Sequence, residues 1–196
     1  MRDIAAVLVT RGDQDLQEIL DSHAAVPEIA FTYIWDNSRE WRDLSVFGRY
    51  AAIDRFDNPV VLVQDDDCVL DPESFATLIS AYQPGVLTAN MPARFRHDFY
   101  QDHCLVGFGA IFDRGLPAAA FRQYREKCGI PQGDSLIFDD MFLRNCDVVF
   151  TALTIRHLVD VAHRDLPWAS NPERMWKQKD HQTSRSLMLA KALAAR

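Results

Sequence analysis

The feature that most constrains the fold is an apolar run that ends on adjacent acids. Val60 to Val63 is entirely apolar, and Asp65 to Asp67 follow one residue later. Asp71 and Pro72 then have the residue types of a helix N-cap and a first helical position. This order is typical of a strand buried on both faces of a parallel sheet. Ligands of such sheets bind at the carboxyl ends of the strands, where these acids lie.

Further alternation supports one α/β domain. Apolar runs at 4–10 and 30–35 flank a helical pattern over 13–23, which predicts an open, mainly parallel sheet. A helix is expected over 70–81, and beyond Gln83 the pattern becomes mixed. The elements expected there are strands over 86–90, 105–112 and 148–155, and helices over 118–128, 139–145 and 173–195.

Length and composition suit a single domain. The chain has 196 residues, 48% of them apolar and 25% charged, which is ordinary globular composition and excludes a disordered chain. No apolar run reaches the ~20 residues that span a bilayer, so no membrane anchor is expected. The four cysteines form no CxxC pair, which favours reduced thiols in a cytoplasmic protein.

Charge is divided unevenly along the chain. The segment 171–196 has six basic and two acidic side chains, a net of +4, whereas the other 170 residues carry −11. A basic tail on an acidic body suggests an anionic ligand such as a phosphate, although a solvated helix face would have the same composition. We expect one domain over 1–196.

The three adjacent carboxylates predict a metal site. They repel one another and lose hydration at the end of a buried strand, which is costly without a cation. Strand alternation places Asp65 and Asp67 on one side and Asp66 on the other. Oxygen ligands that leave open positions suit Mn²⁺ or Mg²⁺ shared with phosphate oxygens. The alternative is an acidic turn that caps the next helix.

Seven short motifs occur in the order of one known family. They are LVTRG, WDNS, VFGRY, QDDD, LVGFGAIFDR, FDDMFL and RMWKQKDHQTSRSL. Together they resemble the exostosin-like glycosyltransferases, which have the type-A fold, use nucleotide-diphosphate sugars and transfer the sugar with retention. Gln64 is a departure, because the family usually has an apolar residue there.

The resemblance implies a metal-dependent transferase that uses Mn²⁺ or Mg²⁺ and a nucleotide-sugar donor such as a UDP-sugar. It implies a nucleotide-binding half (1–85), an acceptor half (86–170) and a C-terminal basic lid (171–196) that contains Trp176. It also implies a catalytic pair, a donor site, a metal ligand and an acceptor site. The catalytic pair is Asp140 and Arg185; the donor site is Thr10, Arg11, Asn37, Arg49, Asp65, Asp66 and His181; the metal ligand is Asp67; the acceptor site is Arg94, Arg96, Gly107, Gly109 and Asp139.

The residue types suit these roles. A departing nucleoside diphosphate gains negative charge in the transition state, and a guanidinium presents a planar fork to phosphate oxygens. Without the resemblance, Arg185 would be an exposed helix arginine and His181 a partly buried, hydrogen-bonded histidine. Asp140 would be an acid favoured by the helix dipole.

Two other classes of function are weighed against the transferase. A nucleotidyltransferase would have a glycine-rich basic loop after the first strand, where only Arg11 and Gly12 occur. A non-catalytic nucleotide-sugar-binding module would have lost the metal acids, which are present.

The acceptor is left open between a glycan and a hydroxymethylated pyrimidine of phage DNA. The loop over 92–103 mixes arginine, histidine and aromatic side chains, which suits either ligand. The acidic body would repel a polyanion.

Overall fold

A computed structural model describes residues 3–131 and 139–196. In chain order its elements are β1 (Ile4–Thr10), α1 (Gln17–Ala24), β2 (Ile29–Asp36), α2 (Gly48–Ala51), β3 (Val60–Asp65), β4 (Cys68–Val69), α3 (Pro72–Ser80), β5 (Leu87–Asn90), β6 (Ala110–Asp113), α4 (Leu116–Lys127), α5 (Asp140–Ala152), β7 (Arg156–Val159), β8 (Arg164–Asp165) and α6 (His181–Ala194).

Six strands form one sheet in the order β2-β1-β3-β6-β5-β7. β1 pairs in parallel with β2 and β3, β6 is antiparallel to both β3 and β5, and β5 is parallel to β7. The first half is therefore the parallel unit that the apolar runs predict, and the second half is mixed. An open mixed α/β sheet is confirmed.

Apolar side chains on the two sheet faces build the two larger core clusters of the described residues. Val61 and Val63 of β3 belong to a cluster with Phe142 and Phe150 of α5, which also includes residues of α2, α4 and α6. Leu62 points the other way and packs in a cluster with residues of α3. The sheet is thus covered by helices on both faces, as the apolar runs require. Among the described residues, no helix is both long and apolar enough to cross a membrane.

The strand expected over 148–155 is wrong, because residues 148–152 form the second half of α5 and the next strand begins only at Arg156. Residues 148–152 are buried, so this part of the helix lacks a polar face and its β-branched and aromatic residues resemble a buried strand. A kink at Asn145 (φ −128°, ψ 15°) interrupts the helix, and its side-chain amide donates to Met141 O at 2.9 Å. The strand expected at 105–112 is shorter, since β6 begins only after Gly109 (φ +102°).

The acids lie at a sharp turn between β3 and β4. β3 ends at Asp65, Asp66 and Asp67 form the turn, and Cys68 of β4 pairs with Asp165 of β8. The helix start after the turn is as expected, with Asp71 accepting from Ser74 N at 2.7 Å. Because β8 precedes the C-terminal segment, that segment begins beside the acids.

Candidate functional site

A cleft of about 1160 Å³ opens at the carboxyl ends of β1 and β3. The sheet edge, the loop before β6, α5 and the C-terminal segment all contribute to its walls. The predicted site residues that line it are Thr10, Arg11, Asn37, Asp65, Asp66, Asp67, Arg94, Gly107, Asp140, His181 and Arg185. Four predicted site residues lie outside its lining: Arg49, Arg96, Gly109 and Asp139.

Two of the three adjacent acids have arginine partners. The fully buried Arg49 forms an ion pair with Asp65, and its guanidinium also lies 3.5 Å from Asp147. Arg174 pairs with Asp66 at 2.6 Å, and the side chains are only 12% and 4% exposed. The two guanidiniums offset two of the three negative charges. Because Arg49 does not line the cleft, it pairs with Asp65 from the protein interior.

Asp67 lies within the field of Arg174 but forms no ion pair of its own in the described part of the chain. Its carboxylate forms no hydrogen bond or ion pair within the described residues, while its backbone carbonyl accepts from Leu166 N at 2.8 Å. Burial, followed by the charge of Asp65, raises the pKa of Asp67 to about 7. A partly buried carboxylate without a cationic partner is suited to a divalent ion.

The donor set fits an open metal site rather than a protein cage. Within 3–131 and 139–196, no three His, Cys, Asp or Glu side chains converge as a ready-made metal site. Mg²⁺ is commonly held by one or two carboxylates, with phosphate oxygens and water completing its octahedron. Asp67, with Asp65 beside it, fits that arrangement.

Gly107 is needed for the position of Asp65. A Cβ added at Gly107 would overlap the carboxylate of Asp65. The carbonyl of Gly107 also accepts from Asp65 N at 2.9 Å and from Cys68 Sγ at 3.4 Å. The family resemblance implies that Gly107 belongs to the acceptor site. In the structure Gly107 lies directly against the acidic turn.

Arg185 is a buried cation that forms no ion pair with any residue that the structure describes. Arg185 is 8% exposed, and its Nε and Nη2 atoms are buried without a hydrogen bond in the described structure. Burial lowers the pKa of Arg185, and the charges of Tyr100 and then Asp147 act in the opposite direction. A buried guanidinium with unsatisfied N–H groups is costly unless an anion binds to it.

His181 and Asp140 stand at the N-termini of α6 and α5. Burial, and then the charge of Arg185, lowers the pKa of His181 to about 4, so its ring is neutral near pH 7. The side chain of Asp140 is 83% exposed and accepts from Arg42 at 2.6 Å. Both residues line the cleft, and Asp140 does so as an accessible acid.

The residues that follow β1 and β2 differ in their freedom to bind a ligand. The Asn37 amide accepts from Trp35 Nε1 at 3.1 Å and from Leu44 N at 3.0 Å, and it donates to Ser45 O at 3.1 Å. These bonds fix the loop after β2 and leave one amide N–H. Arg11 is exposed and pairs with Asp13 at 3.2 Å, while Thr10 Oγ1 accepts from Gly12 N.

The residues proposed for the acceptor are spread more widely. Arg94 lies over the Phe95 ring at 4.9 Å and contacts His163 Nε2 at 3.3 Å. Arg96 donates to Met91 O at 2.8 Å, away from the cleft. Asp139 is the N-cap of α5 and accepts from Met141 N and Phe142 N. Aromatic rings of the 92–103 loop pack on one another and on Phe108, so part of this loop forms its own small core.

Sequence reasoning missed one arginine and one acid that line the cleft. Arg174 lies in the basic tail, but nothing in the sequence pairs it with Asp66. Asp147 is seven residues after Asp140 and thus on the same face of α5; it accepts from Tyr50 OH at 2.6 Å. Burial raises the pKa of Asp147. The side chain of Trp176 is outside the described part of the chain.

The sequence matches no family profile and no curated protein. Among solved structures, S. aureus TarS superposes with a TM-score of 0.52 at 10% identity, over 97% of this chain and 42% of that chain. A shorter TarS structure gives 0.49 at 12% identity, over 97% and 70%. The A197 protein from STIV gives 0.43 at 18% identity, over 82% of each chain.

A fourth solved structure is provisionally assigned as a glucose-1-phosphate thymidylyltransferase from Bacillus anthracis. It gives a TM-score of 0.38 at 8% identity, over 93% of this chain and 75% of that chain. Membership of the exostosin-like family stays a prediction, since none of these comparisons tests it. The likeness to TarS, at these identities, is a likeness of fold: the chain has the type-A glycosyltransferase fold.

Proposed function

We propose that this protein transfers a sugar from a nucleotide-diphosphate donor, such as a UDP-sugar, to an acceptor hydroxyl. The observation that carries the proposal is the buried guanidinium of Arg185, whose Nε and Nη2 atoms have no hydrogen-bond partner among the described residues, in the cleft that Asp67 also lines. The cleft thus offers a carboxylate for a cation and a guanidinium for an anion. A metal-bound diphosphate has both complementary charges.

The residues of the cleft can each serve the transfer. Arg185 would stabilise the charge that develops on the departing diphosphate, because its N–H groups are already desolvated and need no partner to be displaced. His181, neutral near pH 7, can donate a hydrogen bond to a phosphate oxygen without repelling Arg185. Asp140 is exposed enough to accept from sugar hydroxyls, and Arg42 orients its carboxylate.

We propose Mn²⁺ or Mg²⁺ as the cofactor, held by Asp67 with Asp65 beside it. When bound, the ion would supply positive charge to the diphosphate oxygens. Asp66 is occupied by Arg174, so we assign it a supporting role in the turn. Retention of the anomeric configuration is proposed from the family resemblance alone.

A glycan hydroxyl is the acceptor we favour, and hydroxymethylated DNA is the other acceptor predicted from the sequence. The aromatic rings of the 92–103 loop are partly engaged with one another, and Arg96 is directed to Met91 O. These contacts leave Arg94 as the loop arginine that reaches the cleft. A single arginine suits one anionic group better than a polyanion.

The test is hydrolysis and transfer with a panel of UDP-, GDP- and CDP-sugars in Mn²⁺, with Asp67→Asn and EDTA as controls. We expect metal-dependent turnover of one nucleotide class by the wild type and none by the variant. Turnover in EDTA would contradict the metal, and nucleotide transfer to a sugar phosphate would favour a nucleotidyltransferase. NMR of the product anomer tests retention, and digestion of hydroxymethylated DNA followed by mass measurement tests the DNA acceptor.

A further inference from the structure

Gln64 is a buried polar residue that follows four apolar residues in β3. It lies between Val63 and Asp65 in β3, is 1% exposed, and points to the sheet face opposite Val63. A buried amide is costly unless its donors and acceptor are paired. Its hydrogen bonds therefore show what the residue is for.

The Gln64 amide spans the base of the acidic turn. Its Nε2 donates to Cys68 O at 2.6 Å, so one side chain joins the residue before the three acids to the residue after them. The two strand ends are also joined through the carbonyl of Gly107, which accepts from Asp65 N and Cys68 Sγ. The turn that contains Asp66 and Asp67 is therefore held at its two ends by the hydrogen bonds of Gln64 and of the Gly107 carbonyl.

The hydrogen bond to Cys68 O fixes which way the Gln64 amide faces, and His23 lies on its other side. Cys68 O can only accept, so the NH₂ group must face it and Oε1 must face away. Oε1 lies 3.4 Å from His23 Nε2, and His23 Nδ1 lies 3.0 Å from Thr32 Oγ1. With the proton on Nε2, the histidine donates to Gln64 and accepts from the threonine hydroxyl.

The histidine can keep that role at ordinary pH. His23 is 1% exposed, and burial lowers its pKa to about 4, so the ring stays neutral. A one-directional chain of hydrogen bonds thus runs from Thr32 in β2, through His23 in α1, to Gln64 and the carbonyl of Cys68 at the turn. Each member has one arrangement that satisfies its neighbours, which orders the chain.

We infer that Gln64 is a positioning residue that holds the Asp66–Asp67 turn in the geometry needed for a cation at Asp67. The inference rests on the proposed metal role of Asp67. Partners that orient metal ligands from behind typically change metal affinity by about 10–100-fold when removed. Gln64 would act in this way through the backbone of the turn rather than through the carboxylate itself.

The test compares Gln64→Met, which has a similar size but no amide, with Thr88→Val as a matched control. Thr88 is fully buried in the same sheet and donates to Ala81 O at 3.3 Å, far along the chain from the turn. We expect Gln64→Met to lower Mn²⁺ affinity, measured by EPR of the free ion, by about tenfold or more. Amide hydrogen exchange over 65–69 should also be faster in this variant, and Thr88→Val should change neither quantity.

The two readouts separate the inference from the proposed function. If the wild type binds no Mn²⁺, or Asp67→Asn binds it equally well, the metal role of Asp67 fails, and exchange over 65–69 alone decides whether Gln64 orders the turn. If Gln64→Met matches Thr88→Val in affinity and exchange, Gln64 is not a positioning residue. Should Gln64→Met not fold, Gln64→Asn keeps the amide one methylene too short to reach Cys68 O and gives the same comparison.

Discussion

Arg185 yields a prediction in which stability and activity change in opposite directions. Replacing it with Met should make the ligand-free protein more stable while removing most of its turnover. A residue that merely supports the fold would lose both together. Methionine retains a flexible apolar stem of similar length, so much of the packing along α6 is kept.

The size of the stability gain follows from the unpaired atoms. Two buried nitrogen atoms, Nε and Nη2, lack hydrogen-bond partners in the described structure. Each such group costs about 1–3 kcal/mol. Allowing for lost packing of the side chain, we expect a net gain of about 2 kcal/mol, which corresponds to a rise in Tm of about 4–8 °C for a chain of this size.

The activity loss has a separate origin. A charged donor aimed at a developing anion contributes about 10²–10³ in rate, or about 3–4 kcal/mol. We expect kcat for the best nucleotide sugar to fall by that factor in Arg185→Met. Nucleoside diphosphate should raise the Tm of the wild type more than that of the variant, since only the wild type pairs its guanidinium on binding.

The assay is thermal unfolding in phosphate-free buffer together with turnover of the same samples. Lys191→Met is the control, because Lys191 is an exposed cation on the same helix. It should leave Tm and kcat nearly unchanged. A fall in Tm of Arg185→Met that parallels its loss of turnover would refute the reasoning and give Arg185 a structural role.

Three further predictions concern the acids of the cleft. Burial and the charge of Asp65 raise the pKa of Asp67 to about 7. Ionising Asp67 therefore destabilises the metal-free fold as pH rises from about 4 to about 7. In melting curves, Asp67→Asn should raise Tm at pH 8 but not near pH 4. Arg174→Met leaves Asp66 buried and unpaired and should cost about 3 kcal/mol in urea unfolding, with Asp66→Asn restoring most of it. Asp140→Asn should change stability by less than about 1 kcal/mol, because its pair with Arg42 is exposed, while lowering kcat in the transfer assay.

The parts of the fold that local chemistry determines could be predicted from the sequence. β1 has the expected bounds, and α3 begins at Pro72 after the Asp71 cap, because apolar runs and helix-start residues act within a few positions. The second half of α5 could not be predicted, since a helix buried on all sides has no apolar–polar period to distinguish it from a strand. Tertiary packing decides that segment.

The contacts within the candidate site could not be predicted from the sequence. The structure places Asp67, Asp140, His181 and Arg185 in the lining of one cleft, and their roles stay predictions. The ion pair between Asp66 and Arg174 joins residues 108 positions apart, and no spacing rule reveals it. Sequence reasoning therefore assumed that the three acids need a metal, whereas two of them already have an arginine.

The closeness of Gly107 to Asp65 has a consequence for the evolution of this chain. A side chain at position 107 would occupy the space of the Asp65 carboxylate, so the two positions cannot vary independently. In an alignment of homologues, a residue larger than glycine at 107 should occur together with a shorter or displaced residue at 65. Covariation between these two distant columns would trace the acidic turn through relatives in which the run of three aspartates is no longer recognisable.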